Sequence, residues 1–238
     1  MDPFPEALEH GPIEEVFPNV FFVTGAMETE LQGLQWKFSR NMVILREEGR
    51  LVLINSIRLN EQALTQLDQL GKVSDVIRLG ALHGRDDPFY LDRYQAQFWS
   101  LDPATAEQTG SDSHHLISDK PLPISDASVF EFKTTQVPEA ILHLDRNDGM
   151  LIACDALQNW LRPDSYFSED SRQMMQEMGF FTPANLGPVW VQVAAPQAED
   201  FIRLQALNFR HVLCGHGEPL LETAKEDYAA TFRRMFSL

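Results

Sequence analysis

Apolar residues in this chain gather in short, evenly spaced runs rather than long ones, and the runs switch between two periods. Residues 20–24 (VFFVT) are apolar and rich in β-branched or aromatic side chains, which predicts a strand. Residues 41–46 (NMVILR) and 51–55 (LVLIN) flank the turn Glu47-Glu48-Gly49-Arg50, the pattern of a β-hairpin. Leu64, Leu67 and Leu70 then recur at helical spacing, with Asn60 placed to cap the start and Gly71 to end it. A further strand is predicted over 75–79 (DVIRL). Pro88 marks a helix start, followed by an apolar stripe of Phe89, Leu91, Tyr94 and Phe98.

The second half repeats the theme. Residues 128–133 alternate as a half-buried strand. Residues 139–144 and 150–154 flank the turn 145–149, which sets Leu144 opposite Met150 and brings Glu139 beside Asp155. Helices are expected over 168–178, 196–209 and 221–236, with a brief strand at 212–214. Two β-rich halves, each closed by helices, make a layered α/β or α+β protein. No repeat and no Ser/Gly linker divides the chain, so a single domain over 1–238 is expected, with 1–11 as a loose arm.

Charge narrows the partners. The 238 residues carry a formal net charge of −16, which repels phosphate backbones and anionic lipid surfaces. Neither nucleic acid nor membrane is therefore expected as a partner, which leaves a small-molecule ligand or substrate. With no signal segment and no apolar run of membrane-spanning length, a cytoplasmic location is expected. Cys154 and Cys214 sit in apolar runs and read as buried small hydrophobes.

Candidate chemistry collects at three strand ends. The strand at 75–79 leads into His83-Gly84-Arg85-Asp86-Asp87-Pro88, the strand at 150–154 ends at Asp155, and the strand at 212–214 leads into Gly215-His216-Gly217. Loops at strand ends are where layered sheets bind ligands. A histidine or a carboxylate from each of three loops is a metal-site inventory. His114-His115 reads as solvated loop. Met174, Met175 and Met178 read as packing, as do Trp36, Trp99, Trp160 and Trp190, although the tryptophans could also line a pocket. Residues 180–183 (FFTP) could form a lid or a dimer contact. Nothing in the loops 109–123 and 161–185 names a substrate.

The order of these motifs resembles the metallo-β-lactamase superfamily over about residues 13–220. That family carries H-x-H-x-D-H after a strand, a further histidine, an aspartate at a strand end and a Gly-His-Gly-like turn near the C-terminus. Here residues 83–88 align with the first motif, Asp155 with the aspartate, and residues 214–217 with the last. Asn55 stands where the family's early strand carries an aspartate. A strand with Glu139 and His143 leading to Asp155 is similar to a divergent branch of the family. The resemblance implies an α+β, four-layer αββα sandwich and a metal-dependent hydrolase.

The departures from the motif matter as much. Arg85 stands at the second histidine and Pro88 at the last, and neither side chain can ligate a metal. His143 lies four residues from Glu139, about 13 Å away along a strand, so a structural role is expected for it. The remaining ligand set is His83, Asp87, Asp155 and His216, with Asp86 or Glu139 as replacements and Asp87 or Glu139 as general base. Such a set could hold one divalent Zn, Fe or Mn ion. The alternative is that no metal binds: Arg85 bridges Asp155 and Asp87 in its place, and the chain is an inactive binding or interaction protein.

Overall fold

Along β2 (Val20–Leu31), β3 (Leu34–Glu47) and β4 (Arg50–Ile54) successive side chains enter two different apolar interiors. Val20, Phe22, Val43, Leu45, Val52 and Ile54 face one. Phe21, Val23, Met42, Ile44, Leu51 and Leu53 face the other. A strand whose two faces are both apolar must be covered on both sides, and this is how the computed structural model of the chain is built. It describes residues 3–31, 33–102, 113–116 and 121–238.

The first sheet has seven strands in sequence order: β1 (Glu14–Phe17), β2, β3, β4, β5 (Lys72–Ile77), β6 (Gln97–Ser100) and β7 (Ser113–His115). Pairing is antiparallel from β1 to β4 and parallel from β4 to β7. The second sheet contains β8 (Ala127–Glu131), β9 (Ala140–Leu144), β10 (Met150–Ile152) and β13 (His211–Leu213), in the order β13-β10-β9-β8. A short ladder joins β11 (Leu157–Gln158) to β12 (Asn185–Leu186). The two sheets meet face to face over an interior that includes Ile77, Leu142, Leu144, Ile152 and Leu213.

Helices close both outer faces. α1 (Glu61–Leu70) and α2 (Asp87–Tyr94) cover the first sheet through Leu64, Leu67, Phe89 and Tyr90. α4 (Pro188–Ala194), α5 (Ala198–Gln205) and α6 (Ala224–Phe236) cover the second through Trp190, Phe201 and Phe232. α3 (Glu169–Glu177) lies against β3, where Ser171 Oγ accepts the Lys37 N–H at 2.8 Å. The result is the expected α+β arrangement in αββα layers. Burial of each large apolar side chain contributes roughly 1.5–3 kcal/mol, so three such interiors outweigh the polar contacts between them.

Sequence patterning places most elements within a few residues. The second hairpin has the expected register, Met150 opposite Leu144, and Asn60 caps α1 by accepting the Ala63 N–H at 3.0 Å. Two expectations are corrected. β2 and β3 run far beyond the apolar runs at 20–24 and 41–46, because their outer halves pair as a long two-stranded ribbon, Thr29 opposite Trp36. Residues 113–115 form an edge strand instead of a solvated loop, with His114 stacked on Trp99 at 4.4 Å. In the opening segment, Ala26 N–H donates to Glu9 O and Gly11 N–H to Thr24 O, and Phe4 packs edge-on to Phe89. Residues 103–112 and 117–120, which include much of the 109–123 loop, lie outside the described residues.

Topology brings the three motif-bearing loops to one end. Parallel pairing of β10 with β13 sets Ile152 beside Leu213, so the turns at 155 and 216 emerge together. Parallel pairing of β4 with β5 sets Ile54 beside Ile77 and sends the 80–87 loop the same way. A bridge between Gly80 and Glu139 joins the two sheets there. Gly217 has φ +86°, and a Cβ on it would lie 2.3 Å from the Asn159 carbonyl carbon. Gly217→Ala combines a disfavoured φ with a backbone clash, so it is expected to cost about 3 kcal/mol, whereas Gly33→Ala, in open space, costs about 1 kcal/mol. Urea unfolding midpoints of the two variants, at unchanged m-value, test this ordering.

Candidate metal centre

Asp155 follows β10, its carboxylate almost out of reach of water. One oxygen lies 3.1 Å from His216 Nε2 and the other 3.4 Å from His83 Nε2, while the two imidazole nitrogens are 3.1 Å apart. Two imidazole nitrogens and the two oxygens of one carboxylate, with contacts of 3.1–3.4 Å, match the spacing of ligands that share one ion at about 2.0–2.2 Å.

Hydrogen bonding fixes how His216 meets its neighbours. Its Nδ1 lies 3.0 Å from the Ser39 carbonyl oxygen, which can only accept, so Nδ1 carries the proton. In the neutral ring, Nε2 then presents a lone pair to the Asp155 oxygen and to His83. A lone pair facing a carboxylate at 3.1 Å is repulsive unless a cation, either a proton or a metal ion, lies between them. The Nδ1–H to carbonyl bond is also the usual way a metal-binding imidazole is oriented. His83 departs from that habit, since its Nδ1 is buried without a hydrogen-bond partner.

Burial alone would raise the Asp155 pKa, but the adjacent His83 and His216 outweigh it and hold the carboxyl well below the usual range. Glu139, behind Asp155, behaves in the opposite way. Burial first, and the Asp155 charge second, push its pKa well up, against the donated backbone N–H groups of Ala156 and Asp155. The Ala156 N–H sits 2.5 Å from Glu139 Oε1. The Trp190 indole is near enough to lower this pKa, yet its N–H completes no hydrogen bond.

Cys154 is the residue the sequence reading passed over. His83, Cys154 and Asp155 offer ligand atoms all within 4.8 Å of one another. The thiol is fully buried, its pKa pushed well up by burial and then by Asp155 and Glu139, and it lies 3.6 Å from the Asp155 Oδ2. A Cβ on Gly80 would come within 2.8 Å of its sulfur, so glycine there makes room for the thiol.

Several expected site residues are held elsewhere. Asp87 does not join the cluster: Ser56 Oγ donates to it at 2.5 Å and Arg78 Nε at 2.7 Å. Asp86 is taken by Arg85 at 2.5 Å, by buried Arg40, and by the Arg58 N–H at 2.8 Å. Arg85 therefore bridges neither Asp155 nor Asp87; its other end donates to the Glu6 carbonyl. Glu139 and Asp87 were both expected as general base, but neither lines the cavity beside the cluster. Asn55 is a brace rather than a ligand, donating to Ala153 O at 3.1 Å and accepting the Leu79 N–H at 3.2 Å. An aspartate could supply only the second bond. His143 lies at the far end of its hairpin, 2.7 Å from Asn208 O.

Two strand residues without a motif complete the frame. Asn41 donates to Cys214 O at 3.0 Å and Gly217 O at 2.7 Å, and its own N–H donates to Gly215 O. This pins the turn that carries His216. Arg40 beside it extends toward the cavity and Asp86. The only sequence signal was a polar pair, Arg40-Asn41, opening an apolar strand. The cavity itself has a volume of about 300 Å³ and contains His83, Asp155 and His216 in its wall. Trp36, Trp160, Met175 and Phe180 form one aromatic-rich cluster along it. Met178 is exposed and takes no part.

No protein-family profile matches the chain, and no curated protein matches it in sequence. Solved structures do. The metallo-β-lactamase DIM-1 superposes with a TM-score of 0.59 at 12% identity, covering 97% of this chain and 99% of that one. VMB-1 gives 0.60 at 14% identity, covering 96% and 99%. A metallo-β-lactamase from Hirschia baltica gives 0.57 at 14%, covering 93% and 98%. Likeness over nearly whole chains at such low identity establishes the fold, the αββα sandwich of the metallo-β-lactamases.

The raised Glu139 pKa predicts a stability slope. A carboxyl whose folded pKa lies above its unfolded value, about 4.3 for glutamate, stabilises fully below that value and loses its contribution as pH rises toward the folded pKa. Glu139→Gln keeps an acceptor for the Ala156 N–H and is expected to flatten this slope with little loss of stability. Glu139→Ala orphans that N–H and opens a cavity, at a cost of about 2–4 kcal/mol. Urea denaturation of the three proteins from pH 4.5 to 8 distinguishes these outcomes.

Proposed function

Given a chain with the metallo-β-lactamase fold, we propose a hydrolase that holds one divalent metal ion through His83, Asp155 and His216. The observation that carries this reading is the aim of His216: with Nδ1–H donated to the Ser39 carbonyl, its Nε2 faces a buried carboxylate oxygen at 3.1 Å and the His83 Nε2 at 3.1 Å, a contact that calls for a proton or a metal ion between them. All three side chains line the cavity, so an ion entering from solvent meets them together. Cys154 does not line it, and its protonated thiol serves Asp155 from behind.

Two imidazoles and one carboxylate suit Zn, Fe or Mn. Such an ion would supply Lewis acidity toward a carbonyl oxygen and toward water. The chain's own contribution is orientation and charge. Ser39 and Asn41 set His216, Asp155 supplies the anion, and the aromatic wall excludes bulk water. Among the described residues, Asp155 is the acidic side chain that lines the cavity, and the same carboxylate would hold the ion.

The second half of the family's motif has been replaced by arginine–carboxylate pairing, Arg40 and Arg85 on Asp86 and Arg78 on Asp87. That favours one ion over two. The rival reading, an inactive binding protein with Arg85 in the metal's place, needs that guanidinium on Asp155 or Asp87, and it sits on Asp86.

Elemental analysis after reloading with zinc, iron(II) or manganese(II) is expected to find about one equivalent, falling below a tenth in Asp155→Asn and His216→Ala. Sub-stoichiometric metal in the unmodified protein would sink the proposal. Cobalt(II)-loaded protein is expected to lack the near-ultraviolet thiolate-to-cobalt absorption, and an intense band lost in Cys154→Ser would move Cys154 into the ligand set.

A further inference from the structure

Native proteins leave few buried polar groups without a partner. Among the described residues seven buried side-chain nitrogen or oxygen atoms lack one, and five of them belong to residues lining the cavity beside Asp155: Trp36, Arg40, His83, Gln158 and Trp190. Trp190 leans on Glu139, and His83 belongs to the metal centre. Trp36 and Arg40 are left with unused N–H groups, and Gln158 with an unused carbonyl oxygen. The rest of the wall is apolar and aromatic, including Phe38, Trp160 and Phe180. At about 300 Å³ the space lies at the small end of ligand pockets, which run from about 300 to 1,000 Å³.

Charge distinguishes the ligand further. Asp86 alone serves both Arg40 and Arg85, so this pair carries one positive charge more than that carboxylate neutralises, while Asp155, the other charged group in the wall, is taken up by His83 and His216. Both arginines line the cavity. In a chain of net charge −16, a cationic edge on an aromatic box is a selective feature. Arginine N–H groups pair best with a carboxylate or a polarised carbonyl oxygen, and the indole faces suit a flat ring.

We propose that this cavity recognises a small aryl-substituted acyl group, its ring among Trp36, Phe38, Trp160 and Phe180 and its acyl oxygen toward Arg40. This rests on the hydrolase reading for its reaction: an ester of such an acid plus one water gives the carboxylate, the alcohol and a proton. Recognition of the acyl group itself does not need the metal. The carboxylate product is thus the simplest probe, and Trp36, Trp160 and Trp190 supply an intrinsic fluorescence signal.

Chelator-treated and zinc-loaded protein are titrated with phenylacetate, acetate, benzyl alcohol and benzylammonium, following tryptophan fluorescence and calorimetry. Saturable binding of phenylacetate is expected in both forms, at least tenfold tighter than that of the other three in the metal-free form. Val193→Trp, which fills the cavity from a half-exposed rim position, is expected to weaken it at least tenfold without altering the folded circular dichroism. Trp36→Phe keeps a ring but removes an N–H, and is expected to weaken phenylacetate by a few-fold.

Equal binding of acetate or benzylammonium in the metal-free form, or phenylacetate binding untouched by Val193→Trp, overturns the proposal. Metal analysis on the same samples separates the two claims. Selective phenylacetate binding without stoichiometric metal supports the pocket and defeats the hydrolase; stoichiometric metal without selective binding does the reverse.

Discussion

A carboxylate hidden from water must find compensating positive charge, and around Asp155 that charge has to lie between its oxygens and two imidazoles at 3.1 and 3.4 Å, as a proton or as a metal ion. Removing a charge from water without a partner costs several kcal/mol. The three side chains come from loops after different strands, 72–77, 150–152 and 211–213. Convergence of those strands at one end of the sandwich is thus a requirement of the electrostatics as well as a result of topology. Glu139 shows the same constraint from the other side. With Asp155 already charged nearby, a second buried carboxyl is driven toward its neutral form, and it serves as an acceptor for backbone N–H groups.

The acidic loop between β5 and α2 is held in place by ion pairs. Asp86 and Asp87 are both fully buried, and each has a guanidinium partner from outside the loop: Arg40 from β3 and Arg78 from the end of β5. Arg78 also explains Gly84, since a Cβ there would fall 2.1 Å from the guanidinium carbon. The loop is therefore stapled by ion pairs on one side while His83 projects into the cavity on the other. Arginine is suited to this task because it stays charged and offers several donors in a fixed plane.

The sequence made the layers legible because strands buried on both faces show as apolar runs, and the 139–154 hairpin could be registered from its turn alone. His83, Asp155 and His216 were legible because each stands at a strand end. What was hidden had no local signature. Arg40 and Arg78 lie in or beside apolar strands, and their partners are 46 and 9 residues away. Asp87 looked like a ligand in the motif, and only the fold shows that Ser56 and Arg78 reach it first. Cys154 looked like core and largely is; its nearness to His83 depends on the close approach that Gly80 permits. The outer half of the β2–β3 ribbon was partly legible, since Leu34, Trp36 and Phe38 alternate with Gln35, Lys37 and Ser39; it escaped because its partner, residues 25–30, carries no apolar run.

β3 holds Trp36, Arg40 and Asn41 on one continuous strand, and its Ser39 carbonyl orients His216. The aromatic wall of the cavity and the His216 imidazole are therefore fixed to a common rail. Because Asn41 also locks onto the backbone at 214, 215 and 217, the histidine turn is fastened to this strand at four points, and the angle of His216 is set by β3 as much as by its own loop.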